Sequence, residues 1–285
     1  MNVRKIVFRL SGIALNALSA LAPGTAGRLA MRLFGRPYRR LYSASDQELF
    51  AKARRSFRFQ SGGQAIQAYC WALPQASETA PAVLLLHGWE SHSGRWDFLI
   101  PALADMGYRV YAIDAPAHGR SEGTRANMLI YAEAVRALIR REGAMQAVIG
   151  HSLGGAAAIA AFADLAPARH PSQMVILGAF DHTERVIGDF AQSLNLRRRV
   201  VEGLHREIER LTGRSISHFS VARMAADLHT HGLVIHDRRD AIVPFAEGEA
   251  IARAMRKAEF MPTDGLGHGL KHEQVARRIV QFLRG

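Results

Sequence analysis

Gly150-His151-Ser152-Leu153-Gly154 decides the reading of this chain. A short run, Ala147-Val148-Ile149, precedes it, and the small, helix-forming Gly155-Ala156-Ala157-Ala158-Ile159-Ala160 follows. A G-x-S-x-G pentapeptide between a strand and a helix is the pattern of a nucleophile elbow, a serine on a strained turn with its hydroxyl raised above a sheet. Glycine is needed on either side because a Cβ there would strike the adjoining strand or helix. The plainer reading of Ser152 is an ordinary helix N-cap, a position serine favours. Partners elsewhere in the chain must decide between the two.

An elbow serine needs a base, and the base needs a group to orient it. Val234-Ile235-His236 reads as a short buried strand, followed by Asp237-Arg238-Arg239-Asp240-Ala241-Ile242-Val243-Pro244. Asp240 is the better orienting acid and Asp237 the fallback, because Asp237 abuts the strand end. The plainer reading of Asp240 is a loop carboxylate neutralised by Arg238 or Arg239. Farther on, Gly265-Leu266-Gly267-His268-Gly269 sets a histidine in a glycine-rich loop before a final helix from Glu273 to Leu283.

The order Ser152, Asp240, His268 is that of the α/β-hydrolases, and from about Ala80 onward the chain resembles α/β-hydrolase-fold serine hydrolases of the esterase and lipase kind. Val83-Leu84-Leu85-Leu86-His87-Gly88-Trp89 is similar to the family's H-G-x oxyanion segment. Gly94-Arg95-Trp96-Asp97-Phe98-Leu99 carries a tryptophan where the next family helix often has one. Asp114-Ala115-Pro116-Ala117-His118-Gly119-Arg120-Ser121 resembles the D-x-P-G-H-G-x-S turn, with Ala117 in place of the first glycine. The resemblance implies an α/β fold with a mostly parallel central sheet, helices on both faces and a small helical cap insertion. It implies Ser152 as nucleophile, His268 as base and Asp240 as orienting acid, with the backbone N–H groups of Trp89 and Leu153 as the oxyanion hole. Trp89, His151 and Trp96 are the substrate-pocket candidates, the tryptophans having core packing as their other reading.

That machinery implies hydrolysis of a small to medium, fairly apolar acyl ester through an acyl-enzyme, with no cofactor. Thioesterase, acyltransferase, peptidase or carbon–carbon hydrolase chemistry on the same triad stays open. So does a ligand-binding member of the fold that does no catalysis. Serine at the elbow argues against haloalkane dehalogenases and epoxide hydrolases, which use a carboxylate there.

Thirteen histidines raise the question of a metal. His87, His118 and His151 occupy turn positions where hydrogen bonds to loop backbone are the expected role. His268 and His272 are four apart, but the glycines around His268 put it in a loop. No H-E-x-x-H and no Cys/His cluster occurs, so no metal site is expected. One cysteine, Cys70, allows no internal disulfide and points to no oxidising compartment.

At 285 residues the chain fits one α/β domain with a modest insertion. Residues 1–40 stand apart as a basic, amphipathic helical segment, leaving 41–285 as the hydrolase domain, with the cap insertion at about 180–230. In the first segment Arg4 and Lys5 precede Ile6-Val7-Phe8, and Leu10, Ile13, Ala17, Leu18 and Leu21 recur at helical spacing up to Pro23. Arg9, Asn16 and the lack of an A-x-A site oppose a signal peptide or membrane span. An amphipathic pair that docks on the domain or lies on a membrane surface is expected instead. Within the insertion, Val186, Phe190 and Leu194, then Val201, Leu204, Ile208 and Leu211, have helical spacing, and Arg197, Arg198, Arg199, Arg206 and Arg210 crowd one side. The formal net charge of +12 suits nucleic acid, yet no nucleic-acid fold motif appears and none is expected as a partner. The expected partner is the small-molecule ester and the expected location cytoplasmic, with peripheral membrane contact as an accompaniment. Oligomeric state is not legible.

Overall fold

The computed structural model describes the backbone of residues 3–285 and the side chains of residues 7–285. The basic start read at Arg4 and Lys5, with Ile6, lies outside the described side chains. In chain order the first elements are α1 (Val3–Leu21), α2 (Pro23–Phe34), α3 (Ala44–Ala51), β1 (Arg55–Ser61), β2 (Gln64–Trp71) and β3 (Ala82–Leu86). A 3₁₀ turn at Ser93–Phe98 leads to α4 (Ile100–Asp105), β4 (Arg109–Ile113), α5 (Met128–Glu142), β5 (Ala147–His151), α6 (Leu153–Ala163) and β6 (Gln173–Leu177). Then come α7 (Thr183–Ser193), α8 (Arg198–Thr212), α9 (Val221–Ala225), β7 (His231–Asp237), α10 (Phe245–Ala254), β8 (Lys257–Thr263) and α11 (Glu273–Arg284).

The chain divides into two compact units, Pro37–Asp181 with Val221–Gly285, and the residues up to Arg36 with His182–Ser220. The larger unit is built on an eight-stranded sheet in the order β1-β2-β4-β3-β5-β6-β7-β8. β1 and β2 form an antiparallel hairpin, β2 runs antiparallel to β4, and every later pairing is parallel. β3 and β5 are buried along their whole length. Such strands read as unbroken apolar runs, because helices cover a parallel sheet on both faces. One core face gathers Val83, Leu85, Ile149, Val175, Leu233 and Ile235 beneath Ile279 and Phe282 of α11. After β3 the chain crosses to β4 on one side and then to β5 on the other. This reversal opens a crevice at the carboxyl ends of the strands, where open α/β sheets place their sites.

The hairpin of β1 and β2 falls outside the span of the family resemblance. Gly62 and Gly63, both at positive φ (56° and 75°), turn it, and this is the conformation a two-residue hairpin loop demands. Two boundaries also move. β7 runs from His231 to Asp237, beyond the Val234-Ile235-His236 core read from sequence, and the helical spacing over 183–211 is split into α7 and α8 around Asn195, whose φ is 50°.

In the smaller unit, α2 packs on α8 through facing glycines. A Cβ on Gly27 would fall 2.2 Å from the Gly203 carbonyl carbon, so only glycine permits this approach. Phe34 meets Phe190 of α7 edge to face at 5.2 Å. Residues 3–36 and the inserted helices therefore share one compact unit, a pairing across some 150 positions of chain that no local pattern announces. Among the described residues no helix is long and apolar enough to cross a membrane.

Candidate active site

β5 ends at His151 and α6 begins at Leu153, leaving Ser152 alone at the corner with φ 52° and ψ −119°. Its amide donates to the Leu177 carbonyl of β6 at 2.8 Å, while its carbonyl accepts from the Ala156 amide. A non-glycine residue in that region carries a strain of roughly 1–3 kcal/mol, held in place by the surrounding structure. The flanking glycines explain how. A Cβ on Gly154 would lie 2.3 Å from the Leu86 carbonyl oxygen, and one on Gly150 would lie 2.5 Å from Gly155 Cα. The helix thus sits directly against the end of β3.

The loops after β7 and β8 bring two more groups to this corner. His268 Nε2 is 3.1 Å from Ser152 Oγ, and its Nδ1 is 2.7 Å from Asp240 Oδ2. A carboxylate only accepts, so Nδ1 carries the proton and Nε2 is left as the acceptor facing the serine. Asp240 has no exposed side-chain surface. Its Oδ1 accepts from the amides of Ile242 and Val243 at 2.8 and 2.9 Å, and His236 Nε2 stands 3.4 Å from Oδ2. Burial works to raise its pKa, but hydrogen bonds from His236, His268 and those two amides outweigh it. They leave the carboxyl well below the ordinary aspartate range. It is therefore held as an anion at neutral pH.

Asp237, the fallback acid, does not touch His268. Its Oδ1 accepts from the Arg239 and Gly265 amides and its Oδ2 from Thr263 Oγ1 and the Leu266 amide. It ties the β7 loop to the loop that carries the histidine. Burial again opposes ionisation, and the hydrogen bonds led by Thr263 again win, so its pKa is lowered. A lowered carboxylate pKa stabilises the fold fully above the unfolded value of about 3.9, and that contribution disappears as pH falls through the folded pKa. Asp237→Asn is therefore expected to cost roughly 2–3 kcal/mol near neutral pH. The melting-temperature gap to wild type should be flat from pH 5 to 7 and narrow below about pH 4. Thermal melts of both proteins across that range check it.

Three side chains that support this geometry were not singled out for it from sequence. His151 Nε2 donates to the His268 carbonyl at 2.8 Å, its ring 4.9 Å from the His268 ring. Burial pushes its pKa well down, so the ring is neutral. Its Nδ1 is buried without a partner among the described residues, and a Cβ on Gly88 would lie 2.8 Å from that atom. His151 is expected in the sequence as pocket wall; here it lies under the histidine loop. Arg95 Nη2 donates to the next carbonyl, Gly269, at 2.7 Å, so two successive carbonyls of the loop are held by side chains. His236 donates through Nε2 to the Val243 carbonyl at 3.0 Å, bracing the turn that carries Asp240. Nothing in spacing marks these roles, because each joins loops far apart in sequence.

The other turn residues behave as structural ties. His87 bridges the Gly88 carbonyl and the Ala115 amide, and His118 bridges the Pro116 carbonyl and the Glu90 amide. Burial lowers both pKa values. Asp114 accepts from Ser93 and from the Arg120 amide, and Tyr42 donates to it. Ala117 adopts φ 64°, so the turn keeps a left-handed residue where glycine is usual, at a strain of roughly 1–2 kcal/mol. His272 caps α11 through its own side chain. Among the described residues no group of three or more His, Cys, Asp or Glu side chains is placed to hold a metal ion. Trp96 is wholly buried in the core, stacked near Phe98. Trp89 follows Gly88 at the end of β3, 38% exposed and edge-on to His118. Leu153 opens α6, where the first helical N–H groups have no intrahelical acceptor.

Comparison with known proteins adds a family. The family model described as serine aminopeptidase S33 (Hydrolase_4) matches residues 77–218. A pimeloyl-[acyl-carrier protein] methyl ester esterase of Nitrosomonas europaea is 32% identical over 85 residues, which are 30% of this chain and 32% of that protein. The magnesium-chelatase 30 kDa subunit of Rhodobacter capsulatus is 35% identical over 122 residues, 41% of this chain and 42% of that one. The matched stretches thus span about a third to two fifths of these relatives' length. An esterase from Exiguobacterium antarcticum superposes with a TM-score of 0.64 at 16% identity, covering 81% of this chain and all of that one, a likeness of fold. Sheet order, elbow and these likenesses agree, and the chain belongs to the α/β-hydrolase-fold serine hydrolase family.

Proposed function

We propose that the protein hydrolyses a carboxylic ester of a small to medium, fairly apolar acyl group, through an acyl-enzyme on Ser152. The observation that carries this reading is the continuous hydrogen-bonded line from Asp240 through His268 to a serine held at positive φ. Ser152 Oγ attacks the substrate carbonyl carbon while His268 Nε2 takes its proton. The carbonyl π electrons move to oxygen, and the backbone N–H groups of Leu153 and Trp89 donate to that oxyanion. One such donor is worth about 10²–10³ in turnover. The imidazolium, balanced by the buried Asp240 carboxylate, returns the proton to the departing alkoxide. Water then repeats the sequence on the acyl-enzyme and frees the acid.

An ester rather than an amide is favoured by the esterases among the relatives. The family model's aminopeptidase description supplies the rival substrate, an N-terminal peptide bond. A fluorophosphonate probe tests the shared chemistry. One adduct by intact mass, mapped to the peptide containing Ser152, is the expected result, and a well-folded protein that takes no adduct removes the acyl-enzyme reading. p-Nitrophenyl acyl esters set against aminoacyl β-naphthylamides then separate the substrates, with turnover expected on the first.

A further inference from the structure

We propose that α1 lies on an anionic lipid surface, apolar face down. The inner side of this helix is fully occupied within its own unit. Gly12 lies against the Leu194 carbonyl, Leu15 and Ser19 are buried, and Asn16 accepts from the Arg197 amide and donates to the Asn195 carbonyl. The outer side of a surface helix is normally polar. Here it is not. Val7, Leu10, Ile13, Ala14, Ala17 and Leu21 are all exposed, with Leu10 at 58%, Ile13 at 59% and Leu21 at 90%. At 3.6 residues per turn these six fall within an arc of about 120°, a continuous apolar stripe along the helix.

Charge identifies the occupant. Residues 1–36 hold six arginines and lysines and no acidic residue, half of the chain's formal net charge of +12. Arg9 is exposed at one edge of the stripe. At the same edge lies Asn16, whose bond to the Arg197 amide sets the exposed Arg197-Arg198-Arg199 run beside the helix. An apolar strip flanked by arginines is the pattern of an interfacial helix on acidic headgroups. A second copy of this chain would bring the same net positive charge against itself. The inference stands whether or not Ser152 is the nucleophile.

Full-length protein is sedimented with phosphatidylcholine vesicles with and without phosphatidylglycerol, at low and high salt. Binding is expected only with phosphatidylglycerol, and weaker in high salt, since the charge attraction is screened. Leu10→Gln with Ile13→Gln, both exposed and helix-compatible, should weaken it about tenfold or more at unchanged far-ultraviolet circular dichroism. Arg9→Gln with Arg199→Gln should weaken it severalfold and flatten the salt dependence. Equal binding by the Gln variant, or binding indifferent to phosphatidylglycerol, overturns the proposal. Self-association of wild type in solution that the Gln variant loses, without vesicle binding, overturns it in favour of a second copy. Retention in alkaline carbonate overturns it in favour of an embedded segment.

Discussion

Ser152→Ala is expected to lower kcat by about 10⁶ on any acyl ester the protein turns over, with the melting temperature changed by no more than about 2 °C. The two halves of that expectation have separate causes. In the proposed mechanism Oγ is the attacking atom, and among the described residues Ser152 supplies the hydroxyl at His268 Nε2, so its removal leaves only what the oxyanion donors and binding supply, roughly 10³–10⁴ over water. The backbone, by contrast, is held at φ 52° by the Leu177 carbonyl, by α6 and by the end of β3. Alanine keeps the same Cβ and bears the same strain. Only one hydrogen bond, at 3.1 Å, is lost from the fold, worth about 1 kcal/mol. Steady-state kinetics and calorimetry on the same preparation check both halves. Activity above about a thousandth of wild type would take Ser152 out of the chemistry. Loss of the fold would mean the elbow depends on the hydroxyl itself.

What the sequence made legible follows from how local each constraint is. The elbow is a local event: a short strand, a turn that tolerates only glycine at two flanking positions, and a small-residue helix all lie within fourteen residues of one another. Sterics at Gly150 and Gly154 write themselves directly into the sequence. The glycine-rich loop around His268 is local in the same way. The choice between Asp237 and Asp240 was not, since Asp237 ends β7 and Asp240 follows three residues on, and both are buried acceptors of several hydrogen bonds. Only the path of the loop, with Ile242 and Val243 turned back on Asp240 and Leu266 turned back on Asp237, separates an acid that meets His268 from one that ties loops together. The β1–β2 hairpin did carry a signal in Gly62-Gly63, which lies outside the family's motifs. The joining of α2 to α8 carried none, because a glycine pair that lets two distant helices touch looks, in each helix alone, like a weak position.

Asp240→Asn is expected to lower kcat by about 10⁴ while His268 stays in place, and the reason is a tautomer rather than a lost charge alone. The amides of Ile242 and Val243 both donate to Oδ1, so an asparagine must put its carbonyl oxygen there. Its NH₂ then replaces Oδ2, facing His268 Nδ1 at the former 2.7 Å and His236 Nε2 at the former 3.4 Å. A donor at that place requires Nδ1 to accept. The ring proton moves to Nε2, where it points at Ser152 Oγ and leaves no base for the serine proton. The same amide also opposes the His236 N–H that braces the turn, so a stability loss of about 1–3 kcal/mol accompanies the change. Asp237→Asn separates the effects. It removes a buried carboxylate from the neighbouring turn without touching His268, so it should lower the melting temperature and leave the tautomer unchanged. Nitrogen-15 spectra of the His268 ring, read beside kcat, distinguish the outcomes. Nδ1–H in wild type and in Asp237→Asn, but Nε2–H in Asp240→Asn, is the expected pattern. An Asp240→Asn protein with Nδ1 still protonated and full activity would remove Asp240 from the line that reaches the serine.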